Sequence, residues 1–318
     1  MREVLVALLL VACSSSEAAT PRAEVDSGAD AAFDSGADAA LESGADAAAD
    51  SGADAPGLPA CPSFAEPVAA GVVDAPAITE ASGIVAGSTG YWVHNDSGDS
   101  PRVFHLDAQG QLTATVNVSG AQAVDWEDIA RAPGVALYLG DIGDNAKQRS
   151  SVRVYRIPEP TAQSVSAEAL TLTYPEGKAW NAETLLVDPL SGDLYIVTKE
   201  VLGSSPVFRA GAPLAFGGSM ELEQVAVVDF AKLGGGTLAT GGDVSPDGSL
   251  VVVRTYGTAF AWRRPAGARL EAAFATEPCP LPLAKEPQGE AIGFSHDGTS
   301  LLTVSEGTSP TLYRSDRL

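Results

Sequence analysis

Histidine is scarce in this chain, with three among 318 residues. No Gly-x-Ser-x-Gly elbow occurs, and no cysteine is placed to act as a nucleophile. A Ser-His-Asp or Cys-His hydrolase is therefore not expected. Positive charge is also scarce: 19 Lys and Arg stand against 41 Asp and Glu, a net charge of -22. Such a surface repels nucleic acid and anionic lipid and suits metal cations or cationic partners. Aromatic residues reach only 6%. No stretch sustains a helical period, which argues against a bundle. The apolar run Val4–Ala12 is nine residues long, too short to span a bilayer but suited to a signal-peptide core.

That run ends in Leu10-Val11-Ala12-Cys13, which resembles the bacterial lipobox. The resemblance implies removal of residues 1–12 and lipid on Cys13, anchoring the chain to a membrane of the cell envelope. An ordinary secretory signal with a chance cysteine is the alternative. Residues 13–60 are dominated by Ala, Asp, Gly, Ser and Pro, with acids at 26, 34, 42 and 50 in an eight-residue repeat. This composition cannot bury an apolar face, so it reads as a solvated, self-repelling tether. A calcium site needs about six or more oxygens converging from a fixed backbone, which a tether lacks. Cys61 and Cys279 remain. Export to an oxidising compartment makes a disulfide between them the expectation, with two buried thiols as the alternative.

From residue 61 the pattern changes to short runs of Val, Ile, Leu, Tyr, Thr and Trp between Gly, Asp and Pro. Five segments share a layout of strand, tight turn, strand and polar cluster. They are EASGIVAGSTGYWVHNDSGD (80–99), DWEDIARAPGVALYLGDIGDN (125–145), NAETLLVDPLSGDLYIVTKE (181–200), TGGDVSPDGSLVVVRTYG (240–257) and QGEAIGFSHDGTSLLTVSEG (288–307). Equivalent positions are Ser82, Glu127, Glu183, Thr240 and Glu290, spaced by 45, 56, 57 and 50 residues. A third strand and usually a fourth follow each segment. Such a repeat predicts an all-β fold, a β-propeller of five, possibly six, four-stranded blades over 61–318. The last blade stops after three strands, and FAEPVAAGVV (64–73) is the expected closing strand. The turns SPDGS and SHDGT resemble the hairpins of WD-repeat and Tol-system propellers.

In a propeller, the start of the first strand and the end of the second converge near the axis. The acids predicted there are Asp96, Asp99, Asp125, Glu127, Asp128, Asp141, Asp144, Glu183, Asp243, Glu290 and Glu306. An all-oxygen set favours Ca²⁺, with Mg²⁺ second, over zinc. Any one of these acids can instead serve its own turn. Asn95, Asn145, Lys199 and Arg254 are candidate ligand contacts. His94 is the one histidine placed to act as a base; His105 reads as structural, and His296 belongs to a turn on the opposite face.

The blade QGEAIGFSHDGTSLLTVSEG, with DWEDIA and VHNDSGDSPRVFHLDAQG, resembles the propellers of calcium-dependent phytases and gluconolactonase-like proteins. The resemblance implies calcium in the channel and at its mouth. Glu127, Glu183 and Glu290 would line the channel, and Asp96, Asp141 and Glu306 the mouth. The reading is an exported, monomeric calcium-binding propeller presenting an acidic face to a small molecule, glycan or protein. A metal-dependent hydrolase of phosphoesters or lactones is the alternative.

Overall fold

The computed structural model describes residues 61–132, 134 and 136–318. The leader, Cys13 and the acidic repeat lie outside the described residues. The chain begins with β1 (Val68–Val72), then forms the first blade from β2 (Ala81–Ala86), β3 (Tyr91–Asn95), β4 (Arg102–Leu106) and β5 (Leu112–Ser119). The second blade holds β6 (Trp126–Ala132), β7 (Ala136–Asp141), β8 (Val152–Pro158) and, after the short β9 (Ser164–Ser166), β10 (Glu168–Thr173). The third holds β11 (Ala182–Val187), β12 (Leu194–Thr198), β13 (Ser204–Ala210) and, after β14 (Ser219–Glu221), β15 (Glu223–Asp229). The fourth is β16 (Ala239–Val244), β17 (Leu250–Thr255), β18 (Ala259–Arg263) and β19 (Cys279–Leu281). The fifth is β20 (Gly289–Phe294), β21 (Ser300–Ser305) and β22 (Thr311–Asp316).

These are five antiparallel blades, and β1 pairs with β22 to complete the last one. Among the described residues there is no sixth blade, which the sequence left open. Closure leaves no inner edge exposed to another chain. Two outer edges are covered from the next blade: β9 runs parallel to β5, and β14 runs parallel to β10. Cys61 and Cys279 form a disulfide, which ties the segment before β1 to the outer strand of the fourth blade.

There is one apolar cluster at each seam between neighbouring blades. Every described residue of β2, β11 and β20 is buried, because an inner strand meets side chains on both faces. The innermost strands approach so closely that side chains are excluded at several points. A Cβ on Gly241 would lie 2.5 Å from the Glu290 carbonyl oxygen, and one on Gly293 the same distance from that of Ile84. The middle of the channel is therefore packed, and its two ends are separate chemical environments.

Candidate metal centre at the channel mouth

Each inner strand carries an irregularity at the same place. The register shifts between Ala81 and Gly83, Trp126 and Asp128, Ala182 and Thr184, Ala239 and Gly241, and Gly289 and Ala291. The extra residues are Ser82, Glu127, Glu183, Thr240 and Glu290, the five positions equivalent in the sequence repeat. A bulge leaves one residue out of the ladder and re-aims its side chain. In the first and fourth blades that residue is a hydroxyl, spent on a neighbour's backbone. Ser82 Oγ donates to the Glu127 carbonyl, and Thr240 Oγ1 donates to that of Gly289. In the other three it is a glutamate.

Asp96 lies just beyond the end of β3 and is the hub of the mouth. One carboxylate oxygen from each of Asp96, Glu290 and Glu306 lies within 4.8 Å of the others. The same holds for Asp96, Asp125 and Glu127. Among the described residues, no Lys or Arg forms an ion pair with any of these five acids. Burial, followed by the nearby charges of Glu290, Asp125 and Glu80, pushes the Asp96 carboxyl up to about 6. Burial and contact with Glu290 push Glu306 up to about 8. Glu127 is raised well above the ordinary range by burial and by Glu183, Asp96, Asp125 and Glu290. Asp125 rises through burial, against the pull of Arg149.

The third channel glutamate is served differently. Lys199 Nζ donates to Glu183 Oε1 at 2.5 Å and to the Tyr256 hydroxyl at 2.8 Å, and Tyr256 donates to Glu290 Oε1 at 3.2 Å. Burial still lifts Glu183 to about 8, and its Oε2 is buried without a hydrogen-bond partner. Lys199 thus supplies one fixed positive charge on the third-blade side of the ring.

The structure brings together Asp96, Asp125, Glu127, Glu290 and Glu306, with Glu183 and Lys199 beside them. It does not bring the other expected ligands to that point. Asp99 is held by Arg102 at 2.8 Å and accepts from Asn95 Nδ2 at 2.9 Å. Burial opposes these bonds, but together with Ser100 they keep its carboxyl below the ordinary value. Asn95 is spent on the Thr79 and Glu80 amides and the Ala77 carbonyl. Asp141 pairs with Arg149 at 2.9 Å, and Asp144 accepts the Arg149 amide at 2.7 Å. Asn145 bonds Asn181.

Asp128 is fully buried and accepts amides from three blades, those of Ile129, Leu185 and Gly242. His94, expected near the opening, is wholly buried instead. Its Nδ1 donates to the Asn95 carbonyl at 2.8 Å, and its ring stands edge-on to Trp126. Burial pulls its pKa down to about 4, so it stays neutral. Arg254 is fully buried on a pair with Glu286 at 2.8 Å and donates to the Ala291 carbonyl. A Cβ on Gly289 would meet its guanidinium at 1.9 Å, so any side chain there would have to displace Arg254 from its pair with Glu286. Asp243 lies three residues beyond its blade's bulge, toward the other end of the channel.

The Tyr256 hydroxyl, which links Lys199 to Glu290, was not among the site residues expected from the sequence. Nor was Glu286. Both belong to loops from different blades, and only the fold sets them beside their partners.

No described protein family and no curated protein matches this chain. Among solved structures, it is similar to the soluble aldose sugar dehydrogenase of Escherichia coli in its apo form. That likeness has 11% identity and a TM-score of 0.44, over 80% of this chain and 99% of that one. It is also similar to a gluconolactonase of Xanthomonas campestris, with 13% identity and a TM-score of 0.43, over 76% of this chain and 87% of that one.

Proposed function

We propose that the mouth is a divalent-cation site, for Ca²⁺ before Mg²⁺, and that the propeller is a metal-dependent hydrolase of a small phosphoester or lactone. The observation that carries this reading is the pair of oxygen triads sharing Asp96, with no ion pair to neutralise either. Five acids whose charges crowd one another are stable at neutral pH only if protons or cations join them. The donors are all oxygen and are set on strand ends and bulges, which fits a hard cation. Such a cation supplies charge neutralisation and Lewis acidity at the mouth.

The chain's own groups divide the remaining work. Asp96, Glu290 and Glu306 hold the cation. Asp125 and Glu127, which share Asp96 with that set, then remain as surplus carboxylates, and Glu127 accepts the proton of an attacking water. A carboxyl with a raised pKa is the stronger base once ionised. Lys199, fixed by Glu183 and Tyr256, offers a positive charge to an anionic or carbonyl oxygen of the substrate. The surplus acids distinguish this proposal from a passive binding face, which needs ligands but no base. Export and lipid attachment through Cys13 belong to the same proposal.

The test is calcium binding by titration calorimetry, followed by a screen of phosphomonoesters and lactones with and without EGTA. Turnover that needs Ca²⁺ and falls in Glu127→Gln supports the hydrolase. Tight Ca²⁺ binding with no turnover across both classes would leave only the binding face. No cation binding at all would sink both readings.

A further inference from the structure

The end of the channel opposite the acid mouth is also a formed pocket. The inner strands run from the mouth toward it, and their last residues, one set from each blade, enclose a space of about 390 Å³. Pockets that hold small ligands begin near this size, at about 300 Å³. Its walls are Val85, Val187, Pro189, Val244, Pro246 and Phe294. These are apolar, unlike anything at the mouth.

One ionisable carboxyl lines these walls without a cation of its own. Asp243 Oδ1 accepts the Val244 amide at 2.8 Å, and Oδ2 accepts the Phe294 amide at 2.7 Å. Two amides satisfy one lone pair on each oxygen and leave the second pair on each unused. Asp243 is not fully enclosed, and it borders this pocket. Among the described residues no ion pair reaches it. Arg131, the one arginine among the lining residues, is already engaged: Nη1 donates to the Ala86 carbonyl at 2.7 Å and Nη2 pairs with Glu159 at 3.4 Å. His296 is an exposed residue of the Ser295–Thr299 turn. An apolar cup with one uncompensated acid selects an apolar body bearing one positive hydrogen-bond donor, since a charge-assisted bond there meets little competition from water.

We propose that this axial pocket is a second ligand site, separate from the acidic mouth, for a small apolar molecule carrying a protonated amine. Asp243 receives the ammonium group, and the valine, proline and phenylalanine walls take the apolar body. Burial raises the Asp243 carboxyl to about 7, and an ammonium group beside it would pull that value back down and favour the ionised acid. An anionic ligand would need Arg131 to be released from Glu159 and from its backbone partner, and the geometry does not favour that.

The test is titration of the full chain with benzylamine, benzyl alcohol and benzoate at mildly alkaline pH. Saturating Ca²⁺ suppresses amine capture at the mouth of the unaltered chain, and the Asp96→Asn, Glu306→Gln variant, titrated separately, removes two of the mouth acids. Benzylamine is expected to bind at least about tenfold more tightly than the alcohol, in the range expected for one charge-assisted bond. Asp243→Asn should remove that preference. Pro189→Trp, which keeps Asp243 and fills the cup, should remove binding of both amine and alcohol. Equal binding of alcohol or benzoate, amine binding that survives Pro189→Trp, or no amine binding at all would each overturn the proposal.

Discussion

Two sets of Asp-Gly loops occupy opposite ends of this propeller, and their acids behave in opposite ways. At the far end, Ser245-Pro246-Asp247-Gly248 and Ser295-His296-Asp297-Gly298 are hairpin turns. Asp297 accepts from the hydroxyls of Ser295 and Thr299 and from the Thr299 amide, and these bonds pull its carboxyl down to about 2. Asp247 is likewise held by Ser245 and Ser249 and lies below its ordinary value, although burial opposes this. At the mouth, Asp96 sits in Asn95-Asp96-Ser97-Gly98-Asp99 and is pushed up to about 6. Its local bond to the Ser97 amide is outweighed by burial and by acids from other blades. The same residue pair is a self-satisfied turn where neighbours are hydroxyls, and a frustrated charge where neighbours are carboxylates.

The comparison predicts that substitutions at the two ends separate cleanly. The largest effect is expected on turnover. Glu127→Gln should lower kcat by about a hundredfold or more on any substrate found, as loss of a general base does, while Asp247→Asn leaves the rate unchanged. A mouth that keeps full activity without Glu127 would remove its assigned role.

Next is cation-linked stability. Calcium at about 100 times its Kd should add about 2.7 kcal/mol, which is several degrees in Tm for a domain of this size. Asp96→Asn combined with Glu306→Gln should abolish that rise, and Asp247→Asn combined with Asp297→Asn should not. Thermal unfolding with Ca²⁺ and with EGTA reads both. A rise that persists in the mouth variant would place the cation elsewhere.

A smaller effect is the sign of the pH dependence. Asp96 and Glu306 have folded values near 6 and 8, above their ordinary 3.8 and 4.5. The folded state therefore holds these protons more tightly, and in EGTA stability should fall as pH rises from about 4 to about 8. Allowing for solvent screening, the change is on the order of 2 kcal/mol. Saturating Ca²⁺ should flatten this slope. Stability in EGTA that stays level across the range would mean that the mouth acids do not repel one another.

The smallest effect belongs to the turns. Asp297 lies below its ordinary value, so its contribution is present above about pH 4 and lost as pH falls toward 2. Asp297→Asn should lower Tm at neutral pH by only about a degree or two, an effect that vanishes in strong acid. A loss that grew in acid would reverse the assignment.

Much of this architecture was legible in the chain. The bulged positions Ser82, Glu127, Glu183, Thr240 and Glu290 were the points at which the five repeats aligned, because every blade must re-aim one side chain at the same depth. Asp96 and Glu306 were legible as polar residues following a second strand. Others were misplaced for definite reasons. Asp243 shares a strand with Thr240 but lies three residues farther along, which carries it past the packed middle of the channel. His94 immediately precedes Asn95 and Asp96, yet strand alternation turns it inward against Trp126. Arg254 lies one residue before the end of a second strand, as Lys199 lies one residue after the end of one, but its guanidinium is claimed by Glu286 from the loop that enters the fifth blade.

The sequence by itself determined the propeller repeat, the closing strand and the side chains offered at each inner-strand bulge, and the structure settled the blade count at five. Those follow from local periodicity, turn residues and an exact repeat of layout. Only the tertiary structure decided which acids are neutralised. Glu183 meets Lys199, Asp141 meets Arg149 and Asp99 meets Arg102, whereas Asp96, Glu290 and Glu306 meet one another. Each neutralised acid finds its cation within its own blade, whereas the acids left facing one another come from the first and fifth blades, and the distances between those exist only once the ring has closed.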